Sequence, residues 1–214
     1  MIIRNFAQVN TQGLTFKVKR KFSYGYNKNN CSIIRFWRCD YGHRNPVYCL
    51  LERIKGQTLT QIYEKYFSDK LEAQEEITAR LNLFEKAMSY EYIPGVEAFI
   101  ADLRRHGAKI AVVTSSNEDK MQNVYNAHPE FKGMVDRILT GEMFAHSKPA
   151  PDCFLLGMEV FSATPENTYV FEDSFHGLQA GMTSGATVIG LATTNTRKAI
   201  TGKAHYIIDD FAEM

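Results

Sequence analysis

T-Y-V-F-E-D-S-F-H-G-L-Q-A-G-M-T-S-G-A-T-V-I-G-L, residues 168–191, is the stretch on which the fold turns. Thr168 to Phe171 is a short apolar run with the length of a buried strand, Leu178 to Ser184 reads as helix, Gly185-Ala186 punctuates, and Thr187 to Leu191 is a second apolar run. Two such runs joined by a helix form a right-handed βαβ unit, whose parallel strands are covered on both faces. Outward from this unit the alternation repeats. Lys109 to Val113, Arg137 to Thr140 and His205 to Ile208 are further candidate strands. Val96 to His106, Asp119 to Asn126 and Asp152 to Phe161 read as helices, the first closed by Gly107. The spacing predicts a three-layer α/β/α domain over residues 91–214 with a parallel sheet. Its strands are expected near 109–114, 136–140, 168–172, 187–191 and 205–208. Thr58 to Phe67 and Ala73 to Met88 read as helices with polar surfaces and place a small helical lobe at residues 55–90.

The chain of 214 residues has room for one such domain and a small lobe. Hydrophobic residues make up 44% and charged residues 23%, the proportions of a globular protein rather than a disordered one. No run approaches a membrane span of about 18 apolar residues, and the amino terminus lacks the apolar core of a signal peptide. Four cysteines without metal-ligand spacing argue against a zinc module or a disulfide framework, and the expected compartment is the cytoplasm. The net charge of +1 hides a division. Residues 1–54 hold ten Lys/Arg and only two acids, Asp40 and Glu52, whereas residues 55–214 hold fifteen bases and twenty-two acids. The first part also contains Trp37 and three of the four cysteines. Residues 1–54 are therefore an atypical basic segment, distinct in composition from the rest of the chain.

In an open parallel sheet, ligands bind outside the carboxyl ends of the strands. Thr114-Ser115-Ser116-Asn117 follow the first of these runs, Lys148-Pro149 lie on the loop after the second, and Glu172-Asp173-Ser174 follow the third. Singly, these are a helix N-cap, a loop lysine and a turn. In this order after successive strands, they are expected to converge on one edge, a combination that suits a phosphate and a divalent cation. Hydroxyl and backbone N–H groups take phosphate oxygens, the lysine neutralises charge, and the carboxylates hold Mg²⁺.

V-V-T-S-S (112–116), S-K-P-A-P-D-C-F (147–154) and V-F-E-D-S-F-H-G-L-Q-A-G (170–181) resemble motifs II, III and IV of the haloacid dehalogenase superfamily. The last two are similar to its β-phosphoglucomutase-like subgroup. The resemblance covers roughly residues 55–214. It implies a Rossmann-like core with a small helical cap, and Mg²⁺-dependent phosphoryl transfer through an aspartyl-phosphate, acting on a small phosphorylated metabolite such as a sugar phosphate. It implies that Thr114 and the amide of Ser115 bind the phosphoryl group, and that Lys148 bridges this group and the nucleophile. It further implies that Asp173 holds Mg²⁺, with Glu172 supporting or ligating.

Two departures from the family pattern bear on activity. Mutases of the subgroup carry an Arg three residues after the glycine that Gly56 matches, and Leu59 stands there. The distal-phosphate clamp is missing, which favours a phosphatase, or a substrate with one phosphate. Motif I, an apolar strand followed by D-x-D-G, is absent from residues 1–54, where Asp40 is the sole aspartate. A one-base shift of reading frame across Cys31 to Glu52 permits, through codon degeneracy, a string containing F-D-F-G-V-V-I-M-D-T-E. That string resembles motif I without its second aspartate. The expectation is that residues 1 to about 53 come from a damaged or mis-read frame and replace the motif I strand, and that the chain is an impaired enzyme. If this segment pairs with the sheet, Ser32 to Trp37 is the expected strand. The competing reading is a catalytically inactive scaffold whose basic, aromatic arm (Tyr24, Tyr26, Trp37, Tyr41, Tyr48) binds single-stranded nucleic acid. The expected partner is a small phosphorylated metabolite rather than nucleic acid or a membrane, and the expected state is a monomer.

Overall fold

The computed structural model describes residues 6–10, 59–87, 90–212 and 214, with the backbone alone described for 6–10. Its described elements, in chain order, are β1 (Phe6–Asn10), α1 (Leu59–Tyr66), α2 (Leu71–Ala87), α3 (Val96–Arg105), β2 (Lys109–Val113), α4 (Glu118–Ala127), α5 (Phe131–Met134) and β3 (Arg137–Leu139), followed by α6 (Asp152–Val160), β4 (Thr168–Glu172), α7 (Phe175–Thr183), β5 (Thr187–Leu191), α8 (Arg197–Ile200) and β6 (Tyr206–Ile208). The strands form one sheet in the order β3-β2-β1-β4-β5-β6.

Side-chain alternation along the strands divides the core into two layers. On one face Ile110 and Val112 of β2, Phe171 of β4 and Ile189 and Leu191 of β5 pack with Phe99 and Leu103 of α3 and Met121 and Val124 of α4. On the other, Ala111, Val113, Val170 and Val188 pack with Phe154 and Met158 of α6 and Leu178 and Ala180 of α7. These are the three layers expected of βαβ units. Phe211 closes the first layer: its ring lies 5.0 Å from that of Phe99 and 5.4 Å from that of Phe171. Gly95 accommodates this closure. Its φ is 79°, and a Cβ there would lie 2.5 Å from the backbone of Phe211.

The pairs β2–β3, β4–β5 and β5–β6 are parallel. The centre of the sheet differs. β1 lies between β2 and β4 and runs antiparallel to both, with Val9 opposite Ile110 and Tyr169. Among the described residues of the first 54, the strand that enters the sheet is Phe6–Asn10; the expected strand Ser32 to Trp37 lies outside the described residues. Hydrogen-bonding capacity explains the insertion. β2 and β4 each carry an inner row of N–H and C=O groups that must be met, and a strand of either polarity can meet them.

α1 and α2 pack against each other, and α2 also meets α4. Tyr63 Oη of α1 donates to Gln74 O of α2 at 3.0 Å. An ion pair ties α2 to α4, with Lys120 Nζ 2.7 Å from Glu85 Oε1. Among the described residues no helix is long and apolar enough to cross a membrane.

Candidate active site

The loops after β2, β3 and β4 converge at the carboxyl edge of the sheet. Thr114 follows β2 directly and is buried. Its N–H donates to Leu139 O at 2.9 Å, tying it to the end of β3. Its Oγ1 accepts from Ser116 N at 3.1 Å, which bends the T-S-S segment into a tight turn. Gly141 N donates to Ser116 O at 2.9 Å and holds the turn against the next loop. Within the turn, Ser115 Oγ is buried with no hydrogen-bond partner among the described residues. A buried hydroxyl is ordinarily bonded, so this group is suited to an oxygen-rich ligand.

Lys148 and Glu172 are 1% and 0% exposed and form an ion pair, with Nζ 2.6 Å from Oε1. The ammonium also lies 3.5 Å from Val113 O and 5.0 Å from the centre of the Phe154 ring. Lys148 thereby links the end of β2, next to Thr114, to the end of β4. The other oxygen of Glu172 accepts from Asp173 N at 2.9 Å, Ser174 N at 3.0 Å and Ser174 Oγ at 3.1 Å. Both carboxylate oxygens are engaged inside the protein. Glu172 thus holds the Lys148 ammonium in place, with its second oxygen fully occupied by the turn that follows β4.

The glycine of E-D-S-x-x-G follows from this arrangement. Ser174 caps α7, its Oγ accepting from Gly177 N at 3.0 Å, so the first turn of the helix rests on Glu172. A Cβ at Gly177 would lie 2.0 Å from Glu172 Oε1. Behind the pair, burial pushes the Cys153 thiol up to about 11, with the Glu172 charge adding and Lys148 opposing. Cys153 is a core residue rather than a nucleophile.

Asp173 is 1% exposed. Its Oδ2 accepts from Thr193 Oγ1 at 3.1 Å and from Thr194 Oγ1, and its carbonyl accepts from Asn195 Nδ2 at 2.8 Å. Thr193, Thr194 and Asn195 carry no motif that marks them in the sequence, yet they follow the Thr187–Leu191 run at the same edge as the others. Extending the strand-end rule to the fourth run includes them.

A cleft of about 380 Å³ opens over Lys148 and Pro149 and is walled on its far side by Gln61, Glu64 and Lys65 of α1. That volume suits a small metabolite. No group of three or more His, Cys, Asp or Glu side chains that could hold a metal occurs among the described residues. Mg²⁺ needs less than that: one or two carboxylates, with waters and substrate phosphate oxygens completing its shell. The hard oxygen donor of Asp173, at the end of β4, fits that requirement.

Several known proteins are similar to this chain. The chain is 32% identical over 124 residues to protein CbbY of Cereibacter sphaeroides, covering 56% of this chain and 54% of that one. It is 30% identical over 179 residues to the probable phosphatase IndB of Dickeya dadantii, covering 77% and 71%. Among solved structures, CbbY (mutant D10N) of Rhodobacter sphaeroides in complex with xylulose-(1,5)bisphosphate superposes with a TM-score of 0.56 at 29% identity, over 68% of this chain and 64% of that one. The chain spans about half the length of the curated relatives it matches first. The family model for haloacid dehalogenase-like hydrolases matches residues 36–191, from the basic segment through the strand that ends at Leu191, and the chain belongs to that family.

Proposed function

We propose that this chain carries a Mg²⁺-dependent phosphoryl-transfer site for a small phosphorylated metabolite, a sugar phosphate by preference, with water as the acceptor. The observation that carries the reading is the buried Lys148–Glu172 pair, which holds an ammonium at the joint edge of β2 and β4 beneath the cleft. Burying an ion pair costs several kcal/mol in desolvation and is a poor way to stabilise a fold. A fixed cation beside a hydroxyl turn is, in contrast, what a transferring phosphoryl group requires. Thr114 and the Ser115 amide bind its oxygens, Lys148 neutralises charge that develops on them, and Asp173 would hold the metal. When bound, Mg²⁺ supplies further charge neutralisation and fixes the phosphate. Leu59 opens α1 where an arginine would grip a distal phosphate, and this favours hydrolysis over mutase chemistry.

Hydrolysis moves the phosphoryl group to a water oxygen, breaks the P–O ester bond and releases an alcohol. The family's covalent route needs an aspartate nucleophile. Of the residues above, the one aspartate, Asp173, is taken up by the metal role, and Asp40 lies outside the described residues. We infer that the first 54 residues replace the motif I strand and leave the chain a slow enzyme. The test is hydrolysis of p-nitrophenyl phosphate with Mg²⁺ by this chain and by a version with F-D-F-D-G restored at motif I. The restored version should be far faster, with only residual turnover in the chain as it stands. Equal rates would overturn the inference. Loss of the restored activity in Lys148→Met and Asp173→Asn variants tests the site itself.

A further inference from the structure

We propose, building on the phosphoryl-transfer reading, that Thr193, Thr194 and Asn195 are positioning residues that fix Asp173 for cation binding. The loop after β5 spends three consecutive side chains on this one residue. Thr193 and Thr194 hydroxyls both donate to Asp173 Oδ2, and the Asn195 amide donates to the Asp173 carbonyl at 2.8 Å. The fourth residue of T-T-N-T serves a separate purpose, since Thr196 Oγ1 accepts from Ala199 N at 3.3 Å and caps α8.

This convergence is not what a turn alone demands. Successive side chains along an extended strand point to opposite sides. Two neighbours reaching one oxygen mean that the chain leaving β5 has wrapped around the end of β4. Asn195 is itself buried, so its amide must be bonded, and it is bonded to the backbone of the residue whose carboxylate the threonines hold. The result is a three-point grip on backbone and side chain together.

Asp173 needs such a grip. The terminal torsion of an aspartate is broad, and a carboxylate can rotate through much of its range at little cost. Lys148 is a competing cation, already 2.6 Å from the carboxylate of the preceding residue. Hydroxyl donors on Oδ2 fix which way the carboxylate faces, and they compensate part of the desolvation of a 1% exposed group. Partners of this kind orient metal ligands, and losing them typically costs about 10–100-fold in metal affinity.

The test uses the full chain and Mn²⁺ as the probe, with free Mn²⁺ read by electron paramagnetic resonance. Asp173→Asn should abolish binding. The double variant Thr193→Val/Thr194→Val, near-isosteric and without hydroxyls, should raise the Mn²⁺ dissociation constant by about 10–100-fold. Thr193→Ser/Thr194→Ser should restore it. The two single valine variants are read in the same way, should the double variant fail to fold. Parent-like affinity in a folded valine variant overturns the proposal. If the parent does not bind Mn²⁺, the metal reading fails, and a second measurement decides the positioning role alone. In chain labelled with [4-¹³C]aspartate, the Asp173 resonance is identified by its loss in Asp173→Asn. It should move in the valine variants, return in the serine variants, and leave the other aspartate signals in place. An unmoved resonance overturns the proposal.

Discussion

Replacing Glu172 by glutamine keeps the shape of the side chain and removes its charge, and the surrounding donors set the consequence. Oε1 meets the Lys148 ammonium at 2.6 Å, while Oε2 meets two backbone N–H groups and the Ser174 hydroxyl. Glutamine has one oxygen and one NH₂. Whichever way the amide is turned, a donor faces a donor, and Lys148 is left buried without a counter-charge. Removing one partner of a buried ion pair costs about 3–5 kcal/mol. In a domain of 150–250 residues each kcal/mol shifts the melting temperature by roughly 2–4 °C, so Glu172→Gln should melt on the order of 10 °C lower. Lys148→Met/Glu172→Gln should recover much of that loss, because the unpaired ammonium is gone. Circular dichroism melts of the parent, the two single variants and the double variant complete a double-mutant cycle. A Glu172→Gln loss below about 2 °C, or no recovery in the double variant, would show that the pair is neither buried nor coupled as described.

Gly177→Ala would ordinarily favour a helix by about 1 kcal/mol. Here the added methyl collides with Glu172, and we expect destabilisation together with loss of phosphatase activity in the version with motif I restored; a rise in melting temperature would contradict the contact. The hydrogen bond from His146 to Asp152 holds the Asp152 carboxyl below its ordinary range, with burial opposing and the His146 backbone adding. Its contribution is therefore present above the unfolded-state pKa, about 3.9, and is lost as pH falls through the lower folded value. Melts between pH 3 and 6 should show the parent's advantage over Asp152→Asn shrinking with acid, and a constant difference would refute this. Cys153 should resist iodoacetamide in the native chain and react on unfolding, as read by peptide mass spectrometry.

The five strands from Lys109 onward are legible because each is a short run rich in apolar residues, buried throughout or nearly so in β2, β4 and β5, and their observed ends fall within a residue or so of the runs. α7 starts earlier than its apolar residues indicate, at Phe175, because the Ser174 cap draws Phe175-His176-Gly177 into the first turn. The helices Phe131–Met134 and Arg197–Ile200 span about one turn each, too few residues for any periodicity to register. β1 is hidden for a different reason. F-A-Q-V-N is no apolar run, and its place in the sheet comes from the open inner edges of β2 and β4. At the site, Thr114, Ser115, Lys148, Glu172 and Asp173 can be read from their positions after strands. The sequence leaves open whether Glu172 ligates or supports, and it does not reveal the bonds that its two oxygens make. Thr193 to Asn195 look like ordinary turn residues until Asp173 is seen inside their reach.

A backbone ladder is indifferent to direction, but a catalytic address is not. Because β1 runs opposite to its neighbours, Asn10 sits beside Lys109 and Thr168 at the amino ends of β2 and β4, and Phe6 sits beside Val112 towards the carboxyl end. A nucleophile placed just after this strand would emerge on the wrong side of the molecule, the full length of the strand away from Lys148. Within this strand it is the Phe6 end, not the Asn10 end, that lies towards the edge where Lys148 sits. The same strand serves as a splint. Deleting residues 1–10 would split the sheet down its middle and bare two facing rows of N–H and C=O groups, a template for pairing with other chains and for aggregation.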